Sequence, residues 1–115
     1  MGTGADVFDL CSLDDIKRWG TKTFDFRHPA RGYHEIALFW DGKDVYAIEA
    51  KCPHALAPLA GGAVFAGKVQ CPEHGALFDL RTGECLDRYT TDTAAYRAEV
   101  RDGRVLVSVP GEQRA

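Results

Sequence analysis

The chain has 115 residues, 45% of them apolar and 27% charged, a size and composition that fit one globular domain (residues 1–115) rather than two units with separate cores. A formal net charge of −3 argues against a general nucleic-acid-binding surface, which needs a basic patch to meet phosphates, and suits docking on a basic protein surface instead. Residues 1–10 carry neither a basic leader nor the apolar run of a signal peptide, and nowhere do about 18 apolar residues follow one another, so the expectation is a cytoplasmic protein without a membrane anchor; a monomer is taken as the working state, independently of these features.

In chain order, two strands over residues 7–11 and 21–26 flank the polar segment 12–20. Ser12 is placed to cap a single helical turn over residues 13–16, and Gly20 to close it. His28 and His34 bracket a polar, glycine-containing stretch and read as exposed loop histidines. Residues 35–40 and 44–50 are β-branched and aromatic in character and form a hairpin through Asp41-Gly42-Lys43. From Cys52 to Gly75 the pattern breaks, because Pro53, Pro58, Gly61, Gly62, Gly67 and Pro72 interrupt any long strand. An irregular stretch of that length in a compact domain is usually functional. Regular structure resumes at residues 77–80, turns at Thr82-Gly83 and continues through 84–86. The plainest signal spans residues 96–109, where Tyr96, Ala98 and Val100 alternate with Arg97, Glu99 and Arg101 before Asp102-Gly103, and Val105, Val107 and Val109 line one face of the return strand. That is a half-buried hairpin with a tight turn. The fold class is therefore mainly β.

The irregular stretch holds the chemistry. It contains Cys52-Pro53-His54 and, after sixteen intervening residues, Cys71-Pro72-Glu73-His74. A common zinc finger draws both cysteines from one short pair and both histidines from another; here each loop offers one thiolate and one imidazole. Two facing loops of this kind can place both thiolates on one iron of a two-iron cluster and both imidazoles on the other. A structural zinc site, or unrelated Cys and His residues, is the plainer alternative.

The combination of C-x-H and C-x-x-H resembles the Rieske family, in which two histidines replace two of the four usual cysteines on one iron. The flanks CPHALAPL (52–59) and CPEHGALFDL (71–80), followed by Arg81-Thr82-Gly83, resemble Rieske ferredoxins, and the likeness runs upstream through residues 36–38 and 45–49 and downstream to the closing hairpin. It implies a Rieske-like β-sandwich with a small cluster-binding subdomain, its loops at about residues 50–80. It implies one Rieske-type [2Fe-2S] cluster held by Cys52, His54, Cys71 and His74, the two histidines facing solvent as electron ports. It also implies two partners: an NAD(P)H-dependent flavin reductase that supplies the electron and a terminal oxygenase that receives it. The alternative within the same family is the small Rieske-like subunit of a larger oxidoreductase such as assimilatory nitrite reductase. A catalytic role is not expected, since only His28 and His34 would remain to build a two-histidine, one-carboxylate iron site, and no nucleotide-binding glycine motif is present.

Two ferric ions, two sulfides, two thiolates and two neutral imidazoles sum to zero formal charge, so reduction leaves a single negative charge. An all-cysteine cluster starts two charges lower, which is why histidine ligation raises the potential to roughly −150 to +300 mV. High-potential respiratory relatives resemble this chain at the ligands but carry a disulfide-forming cysteine in each loop and a serine and a tyrosine whose hydroxyls bond the cluster sulfurs. The matching positions here are Ala57, Glu73, Ala76 and Phe78, so the low end of the range, about −150 mV, is expected. Cys11 and Cys85 lie in or beside strands without a partner motif and read as buried, inert thiols. Trp19, Trp40, Phe24, Phe26, Phe39 and Phe78 read as core or rim, and the charges at Asp14-Asp15 and across residues 84–88 as solvated faces.

Overall fold

The computed structural model describes the backbone of residues 5–28, 32–52, 58–73, 75–88 and 90–110, and their side chains except at 5, 6, 26–28, 32–34 and 110. Ten elements follow one another: β1 (Ala5–Ser12), α1 (Leu13–Trp19), β2 (Thr21–His28), β3 (Gly32–Trp40), β4 (Val45–Glu49), β5 (Ala63–Phe65), β6 (Lys68–Gln70), β7 (Leu77–Asp79), β8 (Ala95–Arg101) and β9 (Arg104–Pro110). Six strands form one antiparallel sheet in the order β1-β9-β8-β4-β3-β2, and three form a second in the order β5-β6-β7.

The larger sheet bends at β8. Residues Ala95 and Tyr96 pair with β4, whereas Arg97 to Arg101 pair with β9; a strand that changes partners in this way makes the corner between two facing layers. Across the bend, Val105, Val107 and Val109 of β9 share a buried cluster with Ile36 and Leu38 of β3, Ala47 of β4, Cys11 and Ile16. The alternation of the C-terminal hairpin holds along β9 and at Tyr96 and Ala98 of β8, whereas Val100, beside the turn, is 42% exposed, and the turn has the left-handed pair Asp102 (φ 52°) and Gly103 (φ 76°) that Asp-Gly favours. A bulge between Asp9 and Cys11 sets the register of β1 against β9.

Four expectations are corrected. The helix runs two turns instead of one: Ser12 Oγ accepts from the Asp15 backbone N–H at 3.1 Å and the Gly20 N–H returns to Ile16, but Lys17, Arg18 and Trp19 continue the helix, with basic residues in its last turn opposing the dipole. The backbones at His28 and His34 are not loop: β2 and β3 pair without interruption from Thr21↔Phe39 to His28↔Gly32. The stretch after Cys52 is not wholly irregular, since residues 63–65, 68–70 and 77–79 make a small sheet of three-residue strands, short enough to fit between the prolines and glycines. Conversely, residues 84–86 contribute a single bridge, Phe78↔Cys85, rather than a strand. Trp19 is 43% exposed, with the Lys22 ammonium 5.2 Å from its ring, so it belongs to the rim and not to the core.

Strands β3 and β4 are buried on both faces. Ile36, Leu38 and Ala47 point to the base core just described, and Ala37, Phe39 and Ile48 to a second core that includes Ala50, Leu59, Val69, Ala76, Phe78, Leu80 and three cysteines, Cys52, Cys71 and Cys85. This second core attaches the three-stranded sheet to the base.

Candidate cluster site

Two loops reach into the second core, and each is closed at its neck. The first continues β4: Ala50 donates its N–H to Glu35 at 3.0 Å, Leu59 donates to Ala50 at 2.7 Å, and Lys51 bridges Pro58. The Lys51–Glu35 ion pair, 3.0 Å, lies on the surface of that neck and adds little by itself. Cys52 stands immediately inside, with no exposed surface.

The second loop lies between β6 and β7, whose pairing at Gln70↔Leu77 forms its neck. Cys71 donates its N–H to the Ala76 carbonyl at 2.8 Å and accepts from the Gly75 N–H at 2.9 Å, so both polar backbone groups of the cysteine are used in holding the loop. Closing a turn this tightly requires a left-handed residue, and Gly75 has φ +79°. Gln70 Nε2 adds a bond to the Gly75 carbonyl at 3.2 Å. The Cys71 side chain is 1% exposed. Glu73 is exposed, while Ala76 and Phe78 are fully buried.

The structure therefore brings two of the four candidate ligands, Cys52 and Cys71, from separate loops into one apolar core. His54 and His74, and Ala57 beside the first loop, lie outside the described residues. No disulfide joins any of the four cysteines. Two thiols removed from water in an apolar pocket, each entering from a closed loop, fit a group bound through sulfur, because thiolates prefer soft metal centres. Cys11 is placed apart, in the base core, where burial first and then the Asp15 charge push its thiol above the ordinary range, as expected for an inert cysteine.

Cys85 differs from its expectation in having polar company. It lies in the second core with Cys52 and Cys71, its N–H donates to Asp92 Oδ1 at 2.9 Å and its Sγ lies 3.3 Å from Asp87 Oδ1. Asp87 also accepts the Leu77 N–H through Oδ2 at 3.3 Å. The run at 84–88 is thus not simply a solvated face, although nothing in its charge pattern distinguishes Asp87 from Glu84.

Comparison with known proteins places this geometry. Residues 7–106 match the Rieske [2Fe-2S] domain model. Apoptosis-inducing factor 3 of Mus musculus is 41% identical over 106 residues, covering 92% of this chain but 16% of its own length; the chain thus spans a small part of that relative. The anthranilate 1,2-dioxygenase ferredoxin subunit of Burkholderia cepacia is 38% identical over 80 residues, 68% of this chain and 73% of that subunit. Among solved structures, the ferredoxin of carbazole 1,9a-dioxygenase from Nocardioides aromaticivorans IC177 superimposes with TM-score 0.73 at 32% identity, covering 88% of this chain and 95% of the other. A Mycobacterium tuberculosis protein assigned as an NADH-dependent nitrite reductase small subunit matches with TM-score 0.73 at 25% identity, covering 91% and 96%. The chain belongs to the Rieske [2Fe-2S] family. Its cofactor is a Rieske-type [2Fe-2S] cluster.

Proposed function

We propose that Cys52, His54, Cys71 and His74 hold the cluster, and that the protein is a ferredoxin that takes one electron from an NAD(P)H-dependent flavin reductase and passes it to a terminal oxygenase. The observation that carries this reading is the arrival of Cys52 and Cys71, from two closed loops, in one apolar core. The cluster supplies a single-electron store. The chain's own residues hold it: Cys71 is fixed through both of its backbone polar groups, and Phe39, Ile48, Leu59 and Phe78 keep water from the thiolate side. The likeness to ferredoxin subunits of dioxygenases supports the oxygenase as recipient. On this reading the protein is a single-domain, monomeric electron carrier in the cytoplasm, where nicotinamide-dependent reductases operate, and has no organic substrate of its own.

The purified protein is expected to be red-brown, with equal iron and labile sulfide and the electron paramagnetic resonance spectrum of a Rieske centre after dithionite. Cys52→Ser, Cys71→Ser, His54→Ala and His74→Ala are expected to lose that spectrum, whereas Cys11→Ser and Cys85→Ser keep it. A colourless zinc protein, or colour surviving Cys71→Ser, would overturn the ligand assignment. Catalytic amounts should accelerate electron flow from a flavin reductase to an oxygenase, more slowly as salt rises if charge steers docking. Salt-independent transfer would favour an apolar contact.

The second reading, a subunit of an assimilatory nitrite reductase, is favoured by the Mycobacterium tuberculosis likeness; tight co-purification with a large nitrite-reducing subunit would establish it. Potential separates the ferredoxin from quinol-linked relatives. With Ala76 and Phe78 in place of hydroxyl donors, two charge-assisted hydrogen bonds of about 1.5 to 3 kcal/mol each are missing, equivalent to roughly 100 mV or more at 59 mV per 1.4 kcal/mol. A potential near about −150 mV is expected, and Ala76→Ser and Phe78→Tyr should each raise it; a wild-type value well above zero would refute the low-potential assignment.

A further inference from the structure

The bonding around Leu77 leads beyond the ligands. In an antiparallel pair two residues exchange both N–H···O bonds. Leu86 donates its N–H to the Leu77 carbonyl at 2.8 Å, but the Leu77 N–H goes to the carboxylate of Asp87, 3.3 Å from Oδ2. A charged side chain thus stands where a ladder carbonyl would be. The chain turns away immediately afterwards, with Arg88 left-handed at φ 60°. The other carboxylate oxygen, Oδ1, lies 3.3 Å from Cys85 Sγ, and Cys85 is buried in the core that contains Cys52 and Cys71. The thiol is a weak donor and helps to orient the carboxylate.

Leu77 is the register partner of Gln70, the residue before Cys71, and such partners are about 5 Å apart. The Asp87 carboxylate therefore grips the neck of the second ligand loop close to a ligand cysteine. We propose that Asp87 is a positioning residue for the cluster: it holds the neck of the Cys71–His74 loop, and its negative charge disfavours the added electron and so keeps the reduction potential low. This rests on the reading of Cys71 and His74 as ligands. Electrostatic influence falls with distance and with exposure; Asp87 is exposed, so the shift is smaller than that of a buried charge but has a definite sign.

Asp87→Asn keeps an oxygen acceptor for the Leu77 N–H and removes the charge. Its iron content should equal wild type, and its midpoint potential, measured by redox titration of the cluster absorbance, should be higher. Asp14→Asn, at an exposed acid on α1 in the base, is the control for net charge and should leave the potential unchanged. Asp87→Ala, which removes the acceptor as well, should release iron to a chelator about tenfold faster, the equivalent of about 1.4 kcal/mol. A wild-type potential in Asp87→Asn, or an equal rise in Asp14→Asn, overturns the electrostatic role even if Asp87→Ala fails to fold; a wild-type release rate in Asp87→Ala overturns the positioning role. Failure of the ligand reading would appear separately, as a wild-type protein without iron and labile sulfide.

Discussion

Leu38 and Phe39 are neighbours on β3, both fully buried, and they belong to different cores. Leu38 packs among the valines of β9 and the residues of β1 and α1, an apolar assembly that needs only matching shapes. Phe39 packs in the core that also holds Cys52, Cys71 and Cys85. The base core is a foundation, whereas the second core, on the proposed ligand assignment, is the wall of a site. The difference shows that burial alone does not separate structure from function; what a buried face contains does.

Truncating each residue should separate the two regions most sharply. Leu38→Ala and Phe39→Ala are each expected to cost about 3 to 5 kcal/mol, a large part of the stability of a domain. Only Phe39→Ala should also shed iron at temperatures well below unfolding. Equal iron loss in chelator assays of the two variants would mean that the cores act as one unit.

Gly83 tests the cluster side through the backbone. It has φ +81°, and an added Cβ would run into the Thr93 carbonyl, while Thr93 donates its N–H back to Gly83 at 2.8 Å. Neither strain nor clash can be relieved by rotating a side chain, so Gly83→Ala should cost about 2 to 3 kcal/mol and lower the midpoint of thermal unfolding by roughly 10 °C. An unchanged melting curve would show that this turn can shift freely.

A smaller effect distinguishes the base turn by pH. Burial alone would raise the Asp41 carboxyl, but the N–H groups of Asp44 and Lys43 and the Tyr46 hydroxyl outweigh it and hold it below the ordinary value. A depressed carboxyl stabilises the fold above its unfolded pKa, about 3.9, and that stability is lost as pH falls through the folded value. Wild type should therefore exceed Asp41→Asn in stability at neutral pH, and the gap should close in acid; a gap independent of pH would assign it to hydrogen bonding alone. Smallest is the β5–β6 turn, where Ala66 is left-handed at φ 51° before Gly67 at 74°. Ala66→Asn should raise stability by up to about 1 kcal/mol, read from denaturant midpoints, and a loss there would mean that the asparagine side chain clashes.

Those sites also mark what could be read from the residues. The Asp102-Gly103 hairpin and the Ser12 cap were legible because each carries the residue its geometry prefers. The β5–β6 hairpin was not, because alanine occupies a position where asparagine or aspartate would announce the turn. Cys52 and Cys71 were legible by spacing, and the structure places them in one core. Asp87 was hidden, since its role depends on where the chain after β7 returns, which local charge pattern does not encode. The helix exceeds its expected single turn because Lys17, Arg18 and Trp19 add a second one, a continuation that the polar segment 12–20 does not signal by an apolar period.

The double burial of β3 has a consequence for assembly. A strand with one polar face resists a one-residue slip, because the slip would expose its apolar set. On β3, a slip exchanges Ile36 and Leu38 with Ala37 and Phe39, and every one of them remains out of water. Polarity thus gives no protection against the wrong alignment, and two other devices must supply it: the contrast in volume between Ala37 and Phe39, and the turn at 41–44, where Asp41 Oδ1 takes the N–H groups of Lys43 and Asp44 and the Asp41 N–H meets the Asp44 carbonyl at 3.2 Å. The turn therefore acts as an index mark. It fixes the alignment of β3 with β4 where burial alone does not discriminate, and with it which core receives Phe39 and at what height Cys52 emerges.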